Sequence, residues 1–235
     1  MQDTDQLRLT RYPERLGGGV RASQVNSESP ADEVLSYAIE RTRAWGSSEI
    51  TFWTNPADSP DIEAALIRRG AQHVDTVTVF ACAIAEVSLP VDDIVSVEVV
   101  RTGEQVREVD AINVPVWGQT ALDENGLAAE LQDVTSAFES GLSIQVLARL
   151  DGEAVSVGGC TIVDGFVRLW GGATLGAARG RGAYRAVLAE RFRVGSERGA
   201  TTALVKGRVS TSAPIIASAG FQRYGDERAY RLTVE

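Results

Sequence analysis

GGATLGAARGRGAYR, Gly171 to Arg185, is the stretch on which the reading of this chain turns: an apolar run from residue 166 passes through a glycine-rich turn into the start of a helix. Glycines let successive N–H groups curl to one side, and the helix that follows adds four unpaired donors and the positive end of its dipole. Arg179, Arg181 and Arg185 bring guanidinium forks, whose paired N–H groups match phosphate oxygens. Such a loop is built to hold phosphates. A solvated β-to-α turn has a similar composition, so the neighbouring elements must decide between the two.

Upstream, residues 144–150 and 154–162 are β-runs joined by Asp151-Gly152, the strongest hairpin signal in the chain, and Val163-Asp164-Gly165 turns into a strand over residues 166–175. Residues 96–100 alternate as a strand and residues 104–112 carry helical periodicity. Asp123 is the N-cap of a helix running to Phe138, with Leu127, Leu131 and Val134 on one face. Downstream come a helix stopped by Gly199, a strand over residues 202–205, a short helix stopped by Gly220, and a last hairpin. Residues 34–84 repeat that order in outline, with helix stops at Gly46 and Gly70. In this first copy the stretch QVNSESPA, residues 24–31, carries an acid and a proline where the loop has glycines and arginines, so it is not expected to bind phosphates. About thirty residues before its first helix leave room for two strands. Residues 87–93, with Pro90 and two aspartates, read as a linker.

Charge is unevenly spread over the 235 residues, whose net is −9. Residues 1–85 carry −4 and residues 86–140 carry −10, with only Arg101 and Arg107 basic. Residues 141–235 carry +5. An acidic segment facing a basic one suits a site that receives a cation on one side and a polyanion on the other. The basic block is too short for a nucleic-acid surface. No apolar run approaches the ~20 residues of a membrane helix, and MQDTDQLRLTR lacks a signal-peptide core, so a soluble cytoplasmic protein is expected. Cys82 and Cys160 lie in apolar runs and read as free buried thiols. A single histidine, His73, set in a polar turn, leaves no metal site and no Ser-His-Asp hydrolase. Arginine outnumbers lysine 22 to 1, which points to a GC-rich bacterial genome.

A strand, then Arg179-Gly180-Arg181-Gly182-Ala183-Tyr184 opening a helix, then a strand, a short helix and Ala219-Gly220-Phe221, resembles the GCN5-related N-acetyltransferase family. The resemblance covers residues 96–235 and, in a half-domain, residues 20–84. It implies a mixed, mostly antiparallel sheet flanked by helices, with residues 1–86 a degenerate N-terminal half-domain and residues 94–235 a complete acetyl-CoA-binding domain. Two-domain members of the family have a similar tandem plan. By the same resemblance acetyl-CoA is the co-substrate and no metal is needed. Ala173, Thr174 and Leu175 would pair with the pantetheine arm as an added strand does, residues 180–184 and Arg185 would take the pyrophosphate, and Lys206 and Arg208 the 3′-phosphate. Two departures stand out: Tyr184 occupies a position where the family has Gly or Ala, and Ile216 one where it commonly has the tyrosine that protonates the leaving thiolate.

Acyl transfer to an amine needs a neutral nucleophile, a polarised carbonyl and a proton for the departing sulfur. Strand 166–175 holds no carboxylate, and Asp164 lies only at its start. Candidates for the base are water, Asp123, Glu124 and Glu130; candidates for the acid are Tyr224, Tyr230 and solvent. Asp123 has the alternative role of an N-cap and Tyr230 that of a packed strand residue. Trp117, in the loop between the first two helices, and Trp170 are candidate walls of an acceptor pocket, with core packing as the alternative. The tryptophans favour an apolar amine and the acidic block a cationic one. Trp45 or Trp53 would complete that pocket from the first copy. The functional expectation is N-acetyl transfer from acetyl-CoA to a primary amine of a small molecule or peptide, by direct attack in a ternary complex, in a monomer or homodimer. The alternative is a non-catalytic acyl-CoA-binding or scaffold protein.

Overall fold

The computed structural model describes the chain apart from residues 1, 4–6, 15–16, 26–28, 56–59 and 235; residues 26–28 of the QVNSESPA stretch therefore lie outside the described residues. In chain order the elements are β1 (Gln2–Asp3), β2 (Arg8–Arg11), β3 (Val20–Ser23), α1 (Ala31–Ala44), β4 (Glu49–Thr54), α2 (Pro60–Arg68), β5 (Gln72–Ala83), β6 (Val95–Val99), α3 (Gly103–Trp117), α4 (Glu124–Glu139), β7 (Ser143–Leu150), β8 (Glu153–Val163), β9 (Phe166–Thr174), α5 (Ala183–Glu197), β10 (Thr202–Arg208), α6 (Ala213–Ser218) and β11 (Gln222–Thr233). They form two units that do not divide at a single point of the chain. The first comprises Met1–Val79, Gly207–Ile215 and Arg223–Glu235, the second Phe80–Lys206 and Ile216–Gln222.

In the first unit β2 and β3 are antiparallel, β3 and β4 parallel, and β11 lies antiparallel on β4 with Arg228 opposite Thr54 and Thr233 opposite Glu49. Leu9, Val20, Ile50 and Phe52 of the sheet and Val34, Leu35, Ile62 and Leu66 of the helices close one apolar core, which Tyr230 and Leu232 of β11 complete. A buried polar knot also fixes β11: the Glu63 carboxylate accepts from Thr54 Oγ1 (2.8 Å), Arg228 Nη1 (2.9 Å) and the Tyr230 hydroxyl (3.2 Å). Asp226 accepts from Thr78 Oγ1 (2.8 Å) and pairs with Arg223.

In the second unit β6, β7, β8 and β9 are successively antiparallel and β10 is parallel to β9. Both tight turns have the left-handed geometry that two-residue hairpins require, with φ of 53° and 84° at Asp151-Gly152 and 51° and 77° at Asp164-Gly165. Successive strand residues face opposite sides of a sheet. Val157 of β8 accordingly packs with Val106, Val109 and Ile112 of α3 and Val134 of α4, whereas its neighbour Gly158 lies under Arg191 of α5. Helices thus cover both faces. Thr102 and Gln105 form a reciprocal cap at the start of α3, and Asp123 accepts the Gly126 amide at 2.7 Å at the start of α4.

Several expectations need correction. Three described strands, not two, precede α1, because β1 needs only two residues. Trp117 is not in a loop: α3 continues through Pro115 to a left-handed Gly118, whose amide bonds Val114. Proline within the last turn removes one amide bond without ending the helix. The terminal hairpin is instead one strand, β11, bonded along β4. His73 sits on β5 and not in a turn, its Nε2 2.9 Å from Thr76 Oγ1 and its ring edge-on to Tyr230. Both cysteines are free and buried, and burial pushes each thiol up to about 11.

Two outcomes follow from this packing. Val167 is fully buried where a Cβ on Gly195 would fall, so Gly195→Ala is expected to lower urea-unfolding stability by about 1–3 kcal/mol despite alanine's better helix propensity. Arg223 and then Thr78 hold the Asp226 carboxyl below the ordinary carboxylate range. The unfolded chain therefore binds the proton more readily, and the stability this supplies is present above the ordinary carboxylate value and is lost as pH falls through the folded one. Asp226→Asn should flatten that part of the acid limb in melts recorded against pH.

Candidate functional site

The site starts from hydrogen bonds that are not made. β9 and β10 pair only at Phe166↔Thr202, Val167↔Ala203 and Arg168↔Leu204, although both strands run on. Beyond Arg168 the β10-facing edge of β9 has no strand partner. On its other edge β9 stays bonded to β8, but the register slips from Gly159↔Trp170 to Val157↔Ala173, so β9 carries an extra residue at Gly171-Gly172, with Gly171 at φ 61°. Such a bulge bends the strand and re-aims its amides. Leu175 N–H bonds Val155 O (2.9 Å), so Leu175 and, by alternation, Ala173 face β8. The open edge therefore belongs to Thr174 and Gly172, a narrower set than Ala173, Thr174 and Leu175. Arg179 Nε donates to the Thr174 carbonyl at 3.4 Å.

After Thr174 the chain makes one 3-10 turn (Gly176–Ala178) and enters α5 through Gly180 (φ 77°) and Gly182 (φ 84°). Gly182 is the N-cap and offers no side-chain acceptor; the first intrahelical bond shown is from Ala186 N to Gly182 O. The amides of Ala183, Tyr184 and Arg185 consequently point out of the helix end without carbonyl partners within it. Arg179, Arg181 and Arg185 are exposed around that end. Arg181 has an exposed ion pair with Asp151 at 3.3 Å, a weak contact that an anion can replace.

Below the bulge, on the α5 face, lies a feature that sequence reading missed. A Cβ on Gly172 would come within 2.7 Å of Tyr184 Cε2 and 3.1 Å of its hydroxyl oxygen, and a Cβ on Gly158 within 2.9 Å of the Arg191 guanidinium. Two glycines on neighbouring strands make room for two large side chains of α5. Arg191 is 1% exposed; its Nη1 donates to Gly159 O (3.1 Å), its Nε to Val187 O (3.3 Å), and its Nη2 has no partner. The guanidinium lies 5.5 Å from the Tyr184 ring. Ser156, also buried, donates to Ala173 O (2.9 Å) and lies 2.8 Å from Thr174 Oγ1. The readable signal was the glycine pairs 158–159 and 171–172 inside strands, opposite a tyrosine and an arginine seven residues apart on a helix.

The remaining candidates are scattered. Trp170 lies over Gly159, donates to Thr161 Oγ1 (3.2 Å) and is 41% exposed on the strand that leads to the bulge. Trp117 is 45% exposed at the end of α3. Asp123 is engaged as the α4 cap and Glu124 in an ion pair with Arg107 (3.1 Å). Glu98 and Glu108 are both drawn to Arg149, and Asp110 accepts the Leu122 amide, so much of the acidic block is spent inside the fold. Tyr224, 69% exposed, and Tyr230 belong to the first unit. Burial and then the charge of Glu63 raise the Tyr230 phenol, which makes it a poorer proton donor. Arg208 also falls in the first unit, paired with Asp75 at 3.0 Å. Ile216 of α6 is buried and supplies no proton. Among the described residues no group of three or more His, Cys, Asp or Glu is placed to hold a metal ion, and no described helix is long and apolar enough to cross a membrane.

No protein-family model matches the sequence, and no curated protein matches it. Solved structures do resemble it. A GCN5-related N-acetyltransferase from Kribbella flavida is 21% identical over 90% of this chain and 80% of that one, with a TM-score of 0.67. One from Sphaerobacter thermophilus reaches a TM-score of 0.74 at 15% identity, covering 97% of this chain and 76% of the other. A tandem GNAT protein from the clavulanic acid biosynthesis pathway gives 0.69 at 14% identity over 92% and 75%. With the bulged β9, the parted β10 and the glycine-arginine entry to α5, these likenesses establish that the chain has the fold of the GCN5-related N-acetyltransferases.

Proposed function

We propose that this protein is an acyl-CoA-dependent N-acetyltransferase that moves an acetyl group from acetyl-CoA to a primary amine by direct attack in a ternary complex. The observation that carries the reading is the unpaired edge of β9 beyond Arg168, which runs straight into the uncapped end of α5. An extended amide-bearing arm bonds an open strand edge as another strand would, and a diphosphate suits a helix N-terminus ringed by arginines. Acetyl-CoA carries both groups in that order. The Thr174 edge would hold the pantetheine arm, the amides of Ala183, Tyr184 and Arg185 the pyrophosphate with Arg179 and Arg181 around it, and the bulge at Gly171-Gly172 the thioester carbonyl. Catalysis then rests on positioning and on oriented amides, with water as the base, since β9 carries no carboxylate and Asp123 and Glu124 are engaged. A small-molecule or peptide amine is the acceptor, and Trp170, beside the bulge, is the wall nearest to it.

Calorimetric titration of acetyl-CoA is expected to show one site per chain. The double variant Arg179→Glu, Arg181→Glu should weaken it by about a hundredfold, as the loss of two charge-assisted phosphate bonds implies. Absence of binding to the native chain overturns the reading. Turnover is then read on an amine panel by thiol release, against a low background because both protein thiols are buried.

A further inference from the structure

Resting on that reading, and going beyond it, the structure places a polar group where the chemistry needs one. When an amine attacks a thioester, the C–N bond forms, the C–S bond breaks, and the sulfur leaves as a thiolate unless it receives a proton. α6 presents Ile216, Tyr230 is bound to Glu63, and β9 has no ionisable residue beyond Arg168. The side chain that does reach the bulge is Tyr184, whose hydroxyl oxygen would stand 3.1 Å from a Cβ on Gly172. That approach exists only because residue 172 is glycine. We propose that Tyr184 hands its hydroxyl proton to the departing sulfur of CoA, and that Arg191 positions it.

Three observations carry this. The main-chain amide of Tyr184 lies in the helix end proposed for the pyrophosphate, while its side chain reaches along the α5 face to the bulge proposed for the thioester, so one residue spans the two ends of the pantetheine arm. Arg191, seven residues along, stands on the same helix face. Its burial is expensive, and no printed contact gives it a carboxylate: two carbonyls hold it and Nη2 is left over. A buried cation beside a phenol ring restricts the ring and stabilises negative charge that develops on its oxygen. The proton balance closes, because the attacking amine sheds one proton, which returns through water to the phenolate.

The test uses the full chain and an amine that the wild type acetylates. Tyr184→Phe keeps the ring and removes only the hydroxyl: acetyl-CoA affinity should stay within about twofold while kcat falls about a hundredfold. With the selenoester analogue of acetyl-CoA, whose selenolate leaves without a proton, the gap between wild type and variant should nearly close. Arg191→Met should lower kcat less and add little in the double variant, as for residues acting in series. An unchanged kcat in Tyr184→Phe overturns the proposal, and so does an equal loss on both esters, which marks a structural role. A wild type that binds acetyl-CoA yet acetylates no amine defeats the transferase reading itself, and the proposal with it.

Discussion

The rest of the second unit is arranged around a parallel strand pair that stops early. β9 and β10 bond over three residues and then part, leaving strand-edge amides and carbonyls without a strand to receive them. Unpaired edges are costly when buried and invite association when exposed. Here the parting is fixed from both sides. The Gly171-Gly172 bulge bends β9 where it separates, and the connection into α5 holds the strand's end through Leu175 N–H to Val155 and Arg179 to the Thr174 carbonyl. The open edge and the open helix end are consecutive in the chain, so a ligand that is part amide arm and part diphosphate meets them in sequence.

Side-chain size is balanced across the α5 face in the same region. Tyr184 and Arg191 are larger than a helix-to-sheet contact normally admits, and Gly172 and Gly158 give up their side chains to receive them. Gly195 does the same for Val167 further along. A polar strip results, from Ser156 and Thr174 through Tyr184 to Arg191, on a face that would otherwise be aliphatic. Its cost is a buried guanidinium nitrogen without a partner. Strain and unmet polar groups that persist beside a cleft are consistent with a use there.

Local chemistry made much of this legible from sequence. Asp-Gly pairs marked both hairpins, glycines marked the helix ends at residues 46, 70, 199 and 220, and the arginine-glycine run marked the entry to α5. What escaped was set by long-range pairing. Periodicity identifies β11 as a strand but cannot say that its partner is β4, 174 residues from Arg228 to Thr54. A proline near a helix end reads as a stop, whereas α3 runs past Pro115 to Gly118. Charge counts likewise overstate the acidic side, because Arg149 and Arg107 sit among the carboxylates. Arg191 looked like one more basic residue on a helix, since only the sheet beneath it reveals that it is buried.

Backbone hydrogen exchange with and without acetyl-CoA tests the central claim most directly, because the account concerns amides that lack partners. Acetyl-CoA should slow exchange at Gly172, at Thr174 and over residues 180–185, and leave Leu175 unaffected, since its amide is already held by Val155. Protection that appears elsewhere, or none in those two segments at saturating acetyl-CoA, would contradict the account.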